Sequence, residues 1–165
     1  MGYYDETAAG YNELHGAEQT RKAKAILAYL VEHKLINEHT RLLDVGAGTT
    51  IATALFPGDK TALEPSRELL KQAKDMSIKL VHGVGEDLPF ADKWFDVTIC
   101  LTAIHNFTDF KKGIAEIKRV TYKTAVITVL KKSPKAKEIE KEIKKAFKVV
   151  ATLDDVTDTI LILSV

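Results

Sequence analysis

The chain has 165 residues, of which 45% are hydrophobic and 28% are charged, a composition that fits one globular domain and excludes a disordered chain. Its formal net charge of +1 indicates no general attraction to nucleic acid or to anionic membranes. The single cysteine, Cys100, excludes an internal disulfide and a cysteine-rich metal site, so we expect a cytoplasmic protein that binds neither membrane nor metal.

The predicted elements alternate between helix and strand along most of the chain. Residues 1–16 predict an N-terminal arm, and residues 17–36 a leading amphipathic helix. Residues 40–130 predict a core of five strands, at 41–45, 61–64, 79–82, 95–101 and 125–130. Between the strands, helices are expected at 67–75 and 110–120, and only a short one at 50–56. Residues 131–165 predict a helix at 135–146 and a β-hairpin at 147–153 and 159–164.

This order indicates an α/β fold in one domain. Alternating strands and helices form a parallel sheet with helices on both faces, and right-handed crossovers restrict it to a doubly wound, Rossmann-like layout. The final hairpin adds an antiparallel strand, which gives a mostly parallel sheet of seven strands.

Candidate binding residues follow the predicted strands, at the edge where doubly wound sheets bind ligands. Gly46-Ala47-Gly48 follow the first strand and let the backbone approach a ligand, and the next helix is expected to offer free N–H groups. Glu64, followed by Pro65, ends the second strand 16 residues after Gly48, a spacing typical of an acid that binds ribose hydroxyls. The loop Gly85-Glu86-Asp87 follows the third strand. Together these strand ends predict a cofactor that contains a nucleoside.

Five motifs in this order, LLDVGAGTT, LEPS, GVGEDLPF, KWFDVTICLTAIHNF and EIKRV, resemble those of the class I S-adenosylmethionine-dependent methyltransferases. The LPF, FD, HxF and RV run is similar to the small-molecule-type (type 11-like) subgroup, and the likeness covers roughly residues 3–130. It implies an enzyme that transfers a methyl group from S-adenosylmethionine, releasing S-adenosylhomocysteine, to an acceptor that the sequence does not identify and that we expect to be a small molecule.

The resemblance also implies roles for individual residues. Asp44 would orient the methionine ammonium, Gly46 and Gly48 would pass close to the methionine and ribose, and Glu64 would bind the ribose hydroxyls. The remaining candidate cofactor residues, which would contact the adenine, the methionine or the backbone beside them, are Ala47, Pro65, Gly85, Glu86, Asp87, Leu101 and Ala103.

Two residues are candidates for the acceptor side. His105 stands where the subgroup often has a histidine, and its ordinary pKa near 6.5 would suit a general base, although it could instead cap the following helix or line the pocket. Tyr11 lies in a run that resembles the subgroup's N-terminal signature, and would help close the arm over the sulfonium.

The chain also departs from the family pattern. Thr50 replaces the third glycine, which predicts a reduced or displaced helix after the loop, and Val84 stands where the subgroup often has an acid. Few residues are available between the fifth and sixth strands for a lid. An open acceptor site could therefore be completed by the N-terminal arm, by a second copy of the chain or by another protein.

These departures keep an alternative open: a degenerate, cofactor-binding module that works only with a partner protein. A nicotinamide-binding dehydrogenase fragment is a weaker reading, because one domain of this size leaves no room for a separate substrate domain. The lysine-rich run 131–148 also contains glutamates and is typical of a solvated helix face, so we expect no nucleic-acid partner.

Overall fold

A computed structural model describes the backbone of residues 3–165 and the side chains of residues 15–165. The helices in this part of the chain are α1 (Tyr3–Glu32), α2 (Arg67–Leu70), α3 (Phe110–Val120) and α4 (Ala136–Ala146). The strands are β1 (Arg41–Val45), β2 (Asp59–Glu64), β3 (Lys79–His82), β4 (Phe95–Cys100), β5 (Thr121–Leu130), β6 (Lys148–Asp154) and β7 (Asp158–Ser164). Two single 3₁₀ turns cover Thr53–Leu55 and Ile104–Asn106.

The seven strands form one sheet in the order β3-β2-β1-β4-β5-β7-β6. The neighbours from β3 to β5 are parallel, whereas β7 runs antiparallel to both β5 and β6. The predicted fold class is therefore confirmed. Because β7 runs the opposite way, its first residue, Asp158, pairs with Leu130 at the carboxyl end of β5. The start of β7 thus lies at the same edge of the sheet as the ends of the parallel strands.

The two faces of the sheet bury separate hydrophobic clusters. Leu42 and Leu43, adjacent on β1, point to opposite faces, as side chains on a strand must. The Leu43 face packs against α3 and α4, for example through Ile117 and Ile143, while the Leu42 face packs against α1 through Ile26 and other residues. Both faces are covered, which explains why the central strands are apolar without alternation.

Two predicted elements differ in extent. Residues 3–16 of the segment predicted as an arm are the first part of α1, which begins at Tyr3 and runs for 30 residues. The predicted helix 67–75 ends at Leu70. The N–H groups of Gln72 and Ala73 bond only three residues back, and Asp75 then accepts hydrogen bonds from the backbone N–H and hydroxyl of Ser77. Such local side-chain bonds compete with a helix. The reduced helix expected after Thr50 is confirmed as the single turn Thr53–Leu55.

Arg119, in the last turn of α3, fixes the loop that follows β3. Its guanidinium donates hydrogen bonds to the carbonyl oxygens of Leu88 (2.9 Å) and Phe90 (2.8 Å) and to the carboxylates of Asp92 and Glu116. The carboxylates raise the pKa of Arg119, and the hydrogen bond to Glu116 has the largest effect. The arginine of the EIKRV motif therefore holds the base of the loop that carries Gly85 and Glu86.

Candidate functional site

A cavity of about 380 Å³ opens at the carboxyl edge of the sheet, beyond the ends of β1, β2 and β4. This volume falls within the range of small-molecule sites. Six of the predicted cofactor residues line it: Gly46, Glu64, Pro65, Gly85, Glu86 and Ala103. Five further lining residues were not predicted as site residues: Val84, Thr102, Asn106, Phe107 and Thr108.

The glycine loop forms its turns with positive φ angles. Gly46 and Gly48 have φ of 76° and 60°, and Thr50 has φ of 66°, a conformation that a β-branched residue adopts at a cost. A Cβ added to Gly46 would lie 2.6 Å from the Cβ of Ala103, so only glycine fits beside this part of the cavity wall. The backbone at Gly46 therefore comes as close to the cavity as the fold allows.

The N–H groups of this loop are already bonded within the protein. Those of Gly46 and Ala47 both donate to the carbonyl oxygen of Leu63, at 2.8 and 3.1 Å, and that of Gly48 donates to Glu64. The loop is therefore tied to β2, and only one 3₁₀ turn, Thr53–Leu55, follows it. The loop offers close backbone approach instead of an anion-binding helix end.

Glu64 is held rigidly at the end of β2. Its Oε1 accepts a hydrogen bond from the N–H of Gly48 (3.0 Å) and its Oε2 one from the N–H of Ser66 (2.7 Å). Glu64 also lines the cavity. Glu64 thus joins the glycine loop to the start of α2 and presents a fixed acceptor.

Asp44 lies under the glycine loop and is only 2% exposed. Its Oδ2 accepts a hydrogen bond from the hydroxyl of Thr53 at 2.6 Å. Burial raises the pKa of Asp44 to about 7, the hydroxyl of Thr53 opposes this, and the nearby charge of Glu64 adds to it. Asp44 therefore changes protonation near neutral pH, and it is not among the residues that line the cavity.

Phe107, in the HxF motif, is packed between two glycines. A Cβ on Gly85 or on Gly113 would come within 2.3 Å of atoms of its ring. The ring thereby connects the loop after β3 with α3 and forms part of the cavity wall. The glycine inside helix α3 could have indicated this contact from the sequence. It does so only when the ring that packs against it is known.

Five of the predicted cofactor residues do not line this cavity, namely Asp44, Ala47, Gly48, Asp87 and Leu101, whereas Glu86 does. The Glu86 carboxylate accepts hydrogen bonds from the N–H groups of Thr108 and Asp109, at 3.0 and 3.4 Å, which ties the loop to the segment before α3. Asp87 is exposed, and Leu101 is 5% exposed at the end of β4.

His105 lies in the 3₁₀ turn next to the cavity. Among the residues whose side chains are described, none forms a hydrogen bond with its buried Nδ1. Burial lowers the pKa of His105, helped by the charges of Lys22 and Lys135 and opposed by Asp158. The ring is therefore neutral at pH 7 and can accept a proton. The side chain of Tyr11 lies outside the described residues.

A buried charged cluster that the sequence analysis missed lies beside Thr102. It consists of Lys22, Thr102, Thr128 and Asp158, which come from α1, the end of β4, β5 and β7. Lys22 and Asp158 are both 0% exposed, and Nζ of Lys22 lies 3.1 Å from Oδ1 of Asp158. The i,i+4 neighbour Glu18 also pairs with Lys22, at 3.5 Å. Nothing in the sequence near either residue marks the pair, since 136 residues separate them.

Within the described residues, no group of three His, Cys, Asp or Glu side chains could hold a metal ion. In the same part of the chain, no helix is both long and apolar enough to cross a membrane.

Comparison with known proteins identifies the family. The family model described as a methyltransferase domain matches residues 43–129, more than half of the chain. A demethylmenaquinone methyltransferase of Corynebacterium glutamicum is 34% identical over 92 residues, which cover 54% of this chain and 40% of that protein. An uncharacterized methyltransferase of Bacillus subtilis, YcgJ, is 31% identical over 93 residues, covering 50% of this chain and 36% of that protein. The chain spans well under half the length of these two relatives.

Solved structures share the fold over nearly the whole chain. A magnesium protoporphyrin IX methyltransferase of Synechocystis, solved with bound S-adenosylmethionine, matches with a TM-score of 0.72 and 15% identity, covering 92% of this chain and 81% of that one. A chain from a Haloferax volcanii complex between the Trm112 methyltransferase activator and a methyltransferase matches with a TM-score of 0.70 and 16% identity, covering 100% and 98%.

At these identities the structures show the fold, and the family model shows the family. The motif order, the sheet order and the glycine loop agree with both. The chain belongs to the class I S-adenosylmethionine-dependent methyltransferase family.

Proposed function

We propose that this chain binds S-adenosylmethionine in the cavity at the carboxyl edge of the sheet and transfers its methyl group to a small-molecule acceptor. The observation that carries the proposal is the cavity itself, with the backbone of Gly46 at its wall and a fixed carboxylate, Glu64, at the end of β2. Both features suit a ligand with a ribose, whose two hydroxyls need an acceptor, and an elongated chain that passes close to a backbone.

The residues present fit this cofactor. Glu64 would accept the ribose hydroxyls, the loop Gly85-Glu86 would face the adenine, and Gly46 and Ala103 would lie along the methionine. Asp44, beneath the loop, would favour the ammonium group through its charge. When bound, S-adenosylmethionine supplies a methyl group activated by a sulfonium. The cavity then has to orient the acceptor in line with that methyl group, which accounts for most of the rate gain that such a site needs.

His105 is the residue that could take a proton from the acceptor. Its pKa is lowered mainly by burial, so the neutral ring predominates at pH 7 and one nitrogen is free to accept. An acceptor hydroxyl or amine would lose its proton to His105 as its nucleophilic atom bonds to the methyl carbon. Tyr11, on the N-terminal part of α1, is proposed to help close the site.

The connection after β5 is short. Only residues 131–135 separate β5 from α4, so no large lid covers the cavity from this side. Lys131 in this connection is already paired with Asp154, at 2.6 Å. Val84, which lines the cavity, is 47% exposed, so the cavity reaches the protein surface at this residue.

Titration calorimetry with S-adenosylmethionine and S-adenosylhomocysteine tests the proposal. We expect the chain to bind both in the micromolar range, and Glu64→Ala to weaken binding at least tenfold, about 1.4 kcal/mol. The matched control is Glu68→Ala, an exposed glutamate four residues further on, which should bind as the wild type does. No heat of binding from the wild type at millimolar ligand would refute cofactor binding.

A second candidate is methyl transfer that depends on a partner protein. The Haloferax volcanii complex favours it, because its matching chain is almost the same length as this one and was solved with an activator. Incubating labelled S-adenosylmethionine with a cell extract distinguishes the two cases. Transfer by the isolated chain supports the first, and transfer only by chain that is co-purified with another protein supports the second.

A further inference from the structure

The charged cluster of Lys22, Thr102, Thr128 and Asp158 is a closed hydrogen-bond network. The Lys22 ammonium donates to the hydroxyl of Thr102 (2.6 Å) and to Oδ1 of Asp158 (3.1 Å). The hydroxyls of Thr102 and Thr128 both donate to Oδ2 of Asp158, each at 2.8 Å, and Thr157 donates to its Oδ1 at 2.8 Å. Each hydroxyl thus has an acceptor, and both carboxylate oxygens have donors. A network satisfied in this way is rigid.

The network fixes the backbone of Thr102 as well as its side chain. The N–H of Thr102 donates to the hydroxyl of Thr128 at 2.7 Å. Thr102 has φ of 50°, a left-handed conformation that is strained for a β-branched residue. Such a conformation persists only where the surroundings impose it, and here three atoms of the network do so.

Thr102 and the next residue, Ala103, also line the cavity. The Cβ of Ala103 is the atom that leaves room only for glycine at position 46. A shift at Thr102 would therefore move Ala103 against the glycine loop or away from it. The shape of the cavity depends on a residue whose conformation is set from outside the cavity.

A buried ion pair is a costly way to stabilise a fold, because desolvation of the two charges offsets most of their attraction. Well-packed apolar residues of similar volume are often as stable. A positioning role accounts for what stability alone does not: an ammonium and a carboxylate both aimed at one strained residue of the cavity wall.

We propose that Lys22 and Asp158 are positioning residues, which hold Thr102 and Ala103 in the conformation that admits S-adenosylmethionine. The identity of the ligand in this inference rests on the proposed function. The structural half of the inference, that Lys22 and Asp158 fix the conformation of Thr102, does not depend on it. Neither residue touches the cavity, and both act through the hydroxyl of Thr102.

The experiment compares Lys22→Met with the neutral double variant Lys22→Met/Asp158→Asn. The single variant leaves Asp158 buried without its cation, so we expect its thermal midpoint to fall by about 10 °C. The double variant removes both charges and should recover at least half of that loss. Its dissociation constant for S-adenosylhomocysteine, measured by titration calorimetry, should nevertheless remain at least tenfold above that of the wild type. Lys24→Met, an exposed lysine two residues further along α1, is the matched control and should change neither quantity.

Hydrogen exchange supplies a readout that needs no ligand. In the double variant the amide of Thr102 should exchange at least tenfold faster than in the wild type, while the amide of Cys100 in β4 stays protected. Recovery of both the thermal midpoint and the wild-type affinity, with Thr102 still protected, would show that the pair only stabilises the fold. If the wild type binds no S-adenosylhomocysteine, the proposed function fails, and faster exchange at Thr102 would retain only the structural half of the inference.

Discussion

The two sides of the cavity are held by different kinds of contact. The main-chain wall, formed by Gly46, Glu64, Pro65 and Gly85, is fixed by backbone hydrogen bonds to β2 and by close packing at two glycines. The opposite side, at Thr102, is fixed by side chains of the charged cluster from three distant parts of the chain.

This difference determines what a substitution can do. In the main-chain wall, adding atoms is harmful, because the backbone already lies against its neighbours. At the charged cluster, removing atoms is harmful, because each partner satisfies another buried group. The predictions below test this contrast, from the largest expected effect to the smallest.

The largest effect is expected at Asp44, the buried charge beneath the main-chain wall. Its pKa in the folded protein is about 7, against an ordinary value of 3.8, so the folded state holds a proton that the unfolded state has lost between these values. The free energy of unfolding should therefore fall as pH rises from about 4 to above 7, by up to about 4 kcal/mol. Asp44→Asn should remove this loss and be the more stable protein at pH 8, as urea unfolding at several pH values would show.

The same substitution probes the cofactor. An ammonium group near Asp44 favours the ionised carboxylate, so the wild type should bind S-adenosylhomocysteine more tightly at pH 8 than at pH 6. Asp44→Asn should bind more weakly and lose this difference in calorimetry. A wild-type affinity that does not change between these two pH values would place the ammonium away from Asp44.

Adding one methyl group to the main-chain wall comes next. Gly85→Ala places a Cβ 2.3 Å from the ring of Phe107, which is pinned on its other side by Gly113. We expect a loss of about 1–3 kcal/mol in the free energy of unfolding, the usual cost of overpacking. Phe107→Leu in the same chain should restore part of that loss, measured by urea unfolding. An unaltered stability in Gly85→Ala would mean that the ring is free to move.

A smaller difference in stability is expected between substitutions of the two adjacent threonines that end the LLDVGAGTT motif. Thr49 and Thr50 are 3% and 2% exposed, but only Thr50 has a positive φ. Glycine at position 50 gains from relief of the left-handed conformation, which offsets the lost side chain. Thr50→Gly should therefore change the free energy of unfolding by less than about 1 kcal/mol, and Thr49→Gly should lower it by about 1–2 kcal/mol more. Equal losses would contradict the strain at Thr50.

The smallest effect is expected one residue before the charged cluster. Arg21 pairs with Asp155 at 2.9 Å, and the side chains of Arg21 and Asp155 are 46% and 8% exposed. Arg21 is solvated, and Asp155 would keep its hydrogen bonds from the N–H and hydroxyl of Thr157, so Arg21→Met should leave the thermal midpoint within about 2 °C of the wild type. Comparing the thermal midpoints of Arg21→Met and Lys22→Met tests whether burial of the charge, at adjacent positions on α1, determines the loss of stability. A comparable loss at Arg21 would remove the distinction.

Much of the fold could be predicted because its signals are local. β1, β3 and α3 have the predicted bounds, since runs of apolar residues and a helical period lie within single segments. The extent of α1 could not be predicted, because MGYYDETAAGYNELHG has no sustained apolar period. The end of α2 depends on hydrogen bonds that Ser77 donates to Asp75, which compete with the helix only once the turn has formed.

The candidate site likewise has residues that local sequence signals predict and residues that only tertiary contacts bring together. The glycines and Glu64 could be predicted from their positions after strands. The charged cluster could not, because Lys22 and Asp158 occupy a helix face and the start of a strand with no spacing that relates them. Val84 and Phe107 lie within recognised motifs, yet that they line the cavity follows from three-dimensional packing. How the site residues act on a cofactor stays a prediction for the experiments above.

The antiparallel strand has a consequence for synthesis of the protein. Because β7 is the last strand of the sheet to be made, Lys22 leaves the ribosome long before its partner Asp158, 136 residues later. The glycine loop, β2 and β4 can assemble in the growing chain, but the side of the cavity at Thr102 is completed only when β7 inserts between β5 and β6. We expect nascent chains that lack β7 to be unable to retain the cofactor. Cofactor binding would then begin only once the sheet is complete.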